Sequence, residues 1–181
     1  CALGLDQRWT LRMKRSADLE RAFFSVELTA GVFRIAITEK GLFSLEFPKL
    51  QSRSAPLSGS NKNSGHKRLK HLIESSLKKY FQGSREDFLG IPLDLSGYTR
   101  FESSVLSDLR KTLYGRLTTY KELAGKICSP AASRAVGNVM NRNRIPIIIP
   151  CHRVIRTDGA LGGFGPGISW KKKLLRLEGI I

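Results

Sequence analysis

The sequence predicts an α/β N-terminal domain, a small antiparallel sheet plus a helix, followed by an all-α C-terminal domain with a helix-turn-helix. Three observations lead there. Apolar and polar residues alternate through residues 22–47, the period of a half-buried strand. From Lys67 the period becomes that of a helix. Beyond Thr99 the chain carries repeated helix-start signals.

The alternation resolves into three short strands. Phe24, Val26 and Leu28 mark the first, Phe33, Ile35 and Ile37 the second, Phe43, Leu45 and Phe47 the third. Thr29-Ala30-Gly31 and Glu39-Lys40-Gly41 separate them, so the unit reads as an antiparallel meander with one buried face. Residues 48–65 are rich in Ser, Asn, Gly and Lys and read as an exposed loop. Leu69, Leu72, Ile73, Leu77, Tyr80 and Phe81 then form one helical stripe, which Gly83 can end. That stripe would cover the apolar face of the sheet. Residues 90–98, with Pro92 and Gly97, are the expected join, giving domains at 1–93 and 94–181.

In the second half, Thr99-Arg100-Phe101-Glu102 and Thr119-Tyr120-Lys121-Glu122 are capping boxes. The first opens a helix expected to bury Val105, Leu106, Leu109 and Leu113 and to stop near Gly115. The second opens a short helix burying Leu123, Ala124 and Ile127. Ser129-Pro130 is a helix cap followed by proline at the first helical position, starting a third helix that runs to about Asn141. Two helices joined by a tight turn make a helix-turn-helix. Ser169 is expected to cap a last helix, with Trp170, Leu174, Leu175 and Leu177 inward and Lys171, Lys172 and Lys173 mostly solvated.

The chain has 181 residues and a net charge of +16, from 31 Lys+Arg against 15 Asp+Glu. Such a chain is drawn to polyanions, nucleic acid first. Three cysteines, Cys1, Cys128 and Cys151, show no Cys-x-x-Cys pairing, which suits a reducing compartment. The histidines are His66, His71 and His152, and no Cys/His cluster has zinc spacing, so no metal site is expected. No apolar run approaches a membrane span, and the first residues do not show the charged-then-apolar pattern of a signal peptide, so none is expected. The expectation is an intracellular, DNA-associated protein.

The chemistry concentrates at Ile145-Pro146-Ile147-Ile148-Ile149-Pro150-Cys151-His152-Arg153-Val154-Ile155. A free thiol here is either an inert core residue or a nucleophile. His152 adjoins Cys151, Arg144, Arg153 and Arg156 are near in sequence, and no acidic residue occurs between Pro130 and Thr157. Adjacent cations lower a thiol pKa, and the thiolate is the nucleophile.

Pro150-Cys151-His152-Arg153-Val154 resembles the active-site signature of the O6-alkylguanine-DNA alkyltransferases. Thr119 to Ala124 is similar to that family's first DNA-facing helix, and Arg134-Ala135-Val136-Gly137 to its recognition helix. Asn143 and Pro146 keep the family spacing. Gly162-Gly163-Phe164-Gly165-Pro166-Gly167 and Leu174 to Gly179 resemble its C-terminal loop and helix. The match is dense from Phe101 to Gly179 and weak before about Ile91.

The resemblance implies a reaction and a set of roles. Cys151 thiolate takes the alkyl group from O6-alkylguanine in double-stranded DNA, with O4-alkylthymine a second candidate substrate. The thioether is a poor leaving group, so each molecule acts once, without a cofactor, as a monomer. His152 accepts the thiol proton through a water, Glu178 orients the histidine, and Asn143 is the hinge before the active-site strand. In extended backbone, consecutive side chains diverge, which calls for that water. The lesion must leave the stack. Arg134 fills the gap, Tyr120 crowds the phosphate and can donate to the guanine, and Ala135, Gly137, Ser129 and Thr119 face DNA. Phe164, Gly165, Gly162, Pro146 and Val154 form the substrate pocket. Arg153 is expected to tie loops or acidic groups together. For residues 1–93 a ribonuclease-H-like arrangement is expected. Phe164 departs from the tyrosine of many relatives and Gly165 from the serine of some, which puts side-chain hydrogen bonding to the base in doubt. Two other readings compete. One is a non-repairing alkylated-DNA-binding module, which would carry another residue in place of Cys151. The other is a cysteine hydrolase, for which His66 and His71, in a solvated helical segment, offer no evident partner.

Overall fold

A computed structural model describes residues 21–48, 64–127 and 130–181. Ser129, Cys1, Cys128 and most of the serine-rich loop lie outside the described residues.

The meander is present. Strands β1 (Ala22–Leu28), β2 (Gly31–Thr38) and β3 (Gly41–Glu46) form an antiparallel sheet in the order β1-β2-β3. The alternation has the expected consequence: Phe24, Val26, Phe33, Ile35 and Leu45 are buried on one face. A bulge between Ala36 and Ile37 shifts the register against β3. Helix α1 (Ser64–Phe81) lays Ile73, Leu77 and Tyr80 into that face, each fully buried. Gly83, at φ +86°, follows α1, the left-handed conformation that ends helices. His66 is buried, contrary to the expectation of a solvated segment, because it falls on the side of α1 turned from solvent.

The join is pinned to the sheet. Leu42 and Leu93 form a parallel bridge. Leu42 N–H donates to Pro92 O at 2.8 Å, and Asp94 N–H to Leu42 O at 2.9 Å. A Cβ on Gly41 would stand 2.3 Å from Pro92 O, so only glycine lets the two segments approach this closely.

Helix α2 (Arg100–Arg110) has the predicted capping box on Thr99 and Glu102. It buries Val105, Leu106 and Leu109 but ends before Gly115, and Leu113 is 65% exposed instead of buried. The carbonyls of Asp108 and Leu109 are satisfied by the capping N–H of Lys111, which closes the helix and leaves Leu113 on the following turn.

The C-terminal part is not all-α. Strands β4 (Thr118–Thr119) and β5 (Val154–Ile155) pair in parallel. Two-residue strands 36 positions apart leave no periodic trace, so only the tertiary fold reveals them. Helix α3 (Tyr120–Ile127) starts at its capping box, Thr119 N–H to Glu122 Oε2 at 2.8 Å and Glu122 N–H to Thr119 Oγ1 at 3.1 Å. The third helix begins as a 3-10 turn, Pro130–Ala132, before α4 (Ser133–Asn141) buries Val136, Val139 and Met140. Helix α5 (Ile168–Leu177) is entered from Gly167 with no side-chain cap. Ser169 therefore lies inside the first turn and does not cap it.

One core runs through these elements, joining Phe33, Leu77 and Tyr80 to Leu106, Ile148 and Leu174. Trp170 of α5 meets Phe33 and Phe47 at 5.9 and 4.8 Å between ring centroids. No described helix is long and apolar enough to cross a membrane.

Candidate active site

The site is built on a tight turn between α4 and β5. Ile145, Ile147, Ile148 and Ile149 are buried, which anchors the turn from both ends. Asn143 folds it: Oδ1 accepts from Ile145 N–H, and Nδ2 donates to Ile149 O and Cys151 Sγ, all at 3.0 Å. Such local side-chain bonds let asparagine hold a turn. Ile147 sits at φ +74°. For a β-branched residue this is a strained conformation, held by the packing around it.

Cys151, His152 and Arg153 form a 3-10 turn closed by Arg153 N–H to Pro150 O at 2.9 Å. The backbone is therefore not extended here. Cys151 and His152 are both buried, at 6% and 0% exposure. Burial pushes the Cys151 thiol up to about 11, and the Asn143 amide offsets only part of this. The expectation of a thiol depressed by adjacent arginines is overturned, because sequence neighbours do not face it. Arg144 donates to Phe43 O, Asp94 O and Ser96 O. Arg153 binds Glu178 and Thr112 O, the tying role expected of it. Arg156 pairs with Asp158.

The cation that acts on the thiol is Lys171. Predicted to be solvated, it is fully buried, and its Nζ donates to Val154 O and Leu161 O. Burial lowers its pKa to about 8, opposed by the charge of Cys151. The signal was present in the sequence: Leu174 and Leu175 stand three and four positions beyond Lys171 and share its helix face.

His152 is held through Nε2, 2.7 Å from Glu178 Oε1, while Nδ1 has no partner among the described protein atoms. With Nε2–H donating to the carboxylate, the neutral ring keeps its lone pair on Nδ1. Burial lowers the His152 pKa against the pull of Glu178. Glu178, the C-terminal cap of α5, accepts five hydrogen bonds: Oε1 from Tyr80 Oη–H, His152 and Arg153, and Oε2 from Arg153 and Gly115 N–H. Burial favours its neutral form, but the bonds from His152 and Arg153 outweigh that and hold the carboxyl down at about 2. Tyr80, read from sequence only as part of an apolar stripe, is thus part of this network. A tyrosine in such a stripe is the available signal, since its buried hydroxyl must find a partner.

Beside the network lies an open depression of about 400 Å³ lined by Tyr120, Ser133, Arg134, Gly137, Asn138, Asn141 and Gly163. Arg134 and Ala135 are exposed on α4. Tyr120 spans from the depression toward the thiol: burial, then the Cys151 charge, raise its pKa, so the phenol keeps its proton. A Cβ on Gly162, at φ +67°, would stand 3.1 Å from Tyr120 Oη, so the glycine loop closes directly on that ring. Phe164 is half-buried, its ring 6.3 Å from His152 and 5.9 Å from Phe47. Gly165 is exposed, Pro146 and Val154 are buried, and Thr119 is occupied in capping α3. The structure pairs Asn143 with Cys151 and, on the adjacent residue, His152 with Glu178, and Tyr120 and Arg134 line the depression beside them. Among the described residues, no group of three or more His, Cys, Asp or Glu could hold a metal ion.

Residues 100–180 match the family described as 6-O-methylguanine DNA methyltransferase, DNA binding domain. A methylated-DNA–protein-cysteine methyltransferase of Methanosarcina barkeri is 41% identical over 153 residues, covering 84% of this chain and 94% of its own length. One of Haemophilus influenzae is 45% identical over 108 residues, covering 60% of each chain. The crystal structure of Mycobacterium tuberculosis OGT in complex with DNA aligns with a TM-score of 0.70 at 34% identity, covering 85% of this chain and 90% of that one.

Proposed function

The chain belongs to the 6-O-methylguanine DNA methyltransferase family, and we propose that it repairs DNA by moving the alkyl group of O6-alkylguanine irreversibly onto Cys151. The observation that carries this reading is a pair of contacts on adjacent residues: Asn143 donates to Cys151 Sγ, and His152 is held by Glu178. At neutral pH Cys151 rests as a thiol and His152 as a neutral imidazole. As the alkyl carbon approaches, the thiol proton passes to His152 Nδ1 by way of a water. Sulfur forms a bond to that carbon, the carbon–O6 bond breaks, and guanine leaves with the electron pair. Asn143 stabilises the charge on sulfur, and Glu178 stabilises the histidinium. Tyr120, a phenol at neutral pH, donates to the departing base.

Double-stranded DNA docks on α3 and α4. The N-terminus of α4 and its preceding turn hold phosphates, and Ala131 and Ala135 allow close approach. Arg134 stands at the mouth of the depression, placed to enter the duplex and replace the extruded nucleotide; a guanidinium can both stack and donate. The protein acts inside the cell as a monomer, and residues up to about 93 form a ribonuclease-H-like supporting domain.

The test is intact-mass spectrometry with peptide mapping after incubation with a duplex containing O6-methylguanine. One methyl group on Cys151, saturating at one per protein, is expected. Cys151→Ala should take no methyl and still bind the duplex. A methyl on another residue, or repair by Cys151→Ala, would reject Cys151 as the acceptor.

A further inference from the structure

We propose that Tyr80, carried by α1, is a positioning residue of the transfer site, its hydroxyl setting how much of the Glu178 charge is available to His152. This rests on the reading of His152 as the base for Cys151.

The ring of Tyr80 is not what requires a tyrosine. It packs edge-on or tilted against Phe81 and Phe88, each 5.4 Å away, and Tyr114 at 6.0 Å, contacts that phenylalanine would keep. The hydroxyl is different. It donates to Glu178 Oε1 at 2.7 Å and lies 3.5 Å from His152 Nε2, so it touches both members of the pair. The same oxygen that orients His152 is therefore shared with a donor from the N-terminal part of the chain.

Other groups among the described residues also meet this carboxylate. The 3-10 turn contributes His152 and the Arg153 guanidinium, and the turn after α2 contributes Gly115 N–H on Oε2. Tyr114 stands beside Tyr80 with Arg153 5.9 Å over its ring, and its own hydroxyl is committed to Leu177 O at 2.8 Å. From α5, the Lys171 charge reaches His152. Arg153 neutralises much of the carboxylate, and Tyr80 withdraws a further part. Burial and the Glu178 charge keep the phenol protonated, so it acts only as a donor. A donor on a carboxylate weakens that carboxylate's hold on any other proton it shares. With the hydroxyl removed, Oε1 serves His152 more strongly and the imidazole becomes more basic.

The decisive variant is Tyr80→Phe. Its rate of methyl transfer from an O6-methylguanine duplex is measured by intact mass across pH 5 to 9, which is about the range in which a histidine titrates. The His152 ring is titrated in parallel by NMR in unreacted protein. The acid limb of the rate profile and the His152 titration should both move up by about 0.5–1 pH unit, the size of effect a single donor has on a carboxylate network. Above the limb, where His152 is deprotonated in both proteins, the rate should rise about two- to threefold, since a more basic imidazole takes the thiol proton more readily. A ring-fluorinated tyrosine at position 80, a stronger donor, should move both curves the other way. An unmoved limb and titration, with or without a uniformly lower rate, would reduce Tyr80 to a packing residue and overturn the proposal. If the parent protein takes no methyl, the reading of the reaction fails, and the NMR titrations still decide the role of Tyr80.

Discussion

At neutral pH the buried Cys151 carries its proton, because nothing near it outweighs the loss of water. Asn143 and Lys171 only moderate the effect of burial. On the proposed reading, reactivity then depends on a base that works when the substrate arrives, and that base, His152, is held by Glu178. The carboxyl has an ordinary pKa near 4.5 and a folded value of about 2. A group depressed in the folded state contributes stability that is full above its unfolded pKa and is lost as pH falls through its folded pKa. The window is therefore pH 4.5 down to about 2. At about 1.36 kcal/mol per unit, the contribution is of order 3 kcal/mol. Glu178→Gln should lose stability by about that amount at pH 7, and the gap to the parent should close as pH falls toward 2, as read from urea midpoints. A gap constant across that range would mean the loss comes from packing and not from charge. The residues proposed for these roles are legible in the sequence to different depths. Cys151, His152, Asn143 and Glu178 came with the motif and its spacing. Arg144, Arg153 and Arg156 do not lower the thiol as their nearness in sequence suggests, since proximity along a chain says nothing about which way a side chain turns. Lys171 was misread for the opposite reason: a run of three lysines looks solvated, yet helical geometry turns one of them inward.

Among the elements, α4 is central to the proposed contact with DNA. It is short and buries Val136, Val139 and Met140, leaving its opposite face for a partner. Arg134 stands on that face, beside the depression that reaches Tyr120. If its task is to occupy the space left by an extruded base, it matters only when there is a stack to hold open. Arg134→Ala should therefore lose on the order of tenfold or more in transfer from duplex, a few kcal/mol of extrusion cost being at stake. Transfer from the free base O6-methylguanine should be nearly unchanged. Equal losses on both substrates, in single-turnover rates, would refute an extrusion role. The helices themselves were readable because capping boxes and period-3.6 stripes are local signals. The 3-10 turn ahead of α4, the early end of α2 and the parallel β4–β5 pair were not. Helix ends depend on which nearby groups satisfy the last carbonyls, and a two-residue parallel pair depends on contacts distant in sequence.

The two parts of the chain share one core, and Arg144 is the fastening between them. Its guanidinium stacks between Phe43 and Tyr98, 3.9 and 4.3 Å from their ring centroids. It donates to Phe43 O in β3 and to Asp94 O and Ser96 O in the join. Its backbone N–H donates to Tyr98 Oη at 2.9 Å, and Tyr98 in turn donates to Arg142 O at 2.8 Å. Asn143, the residue that bonds Cys151 Sγ, stands between these two anchors. The sheet thus holds the active-site turn at Arg144, and the join holds it at Arg142 through Tyr98, one on each side of Asn143, which gives the N-terminal part a mechanical reason to be attached. Composition could not have shown this: in sequence Arg144 is one more arginine in a chain with a net charge of +16. Arg144→Met keeps most of the stem and removes the donors and the planar charge. It should lower stability by about 2–4 kcal/mol, since three carbonyls lose a charged partner. It should also slow methyl transfer while leaving duplex affinity close to the parent's, because α3 and α4 do not contain it. Arg144→Lys should recover only part of the loss, as one ammonium cannot stack between two rings and serve three carbonyls at once. Transfer as fast as the parent's in a destabilised Arg144→Met would show that the hinge holds its geometry without the sheet. A loss of duplex affinity matching the loss of rate would instead place the damage in the reading helices.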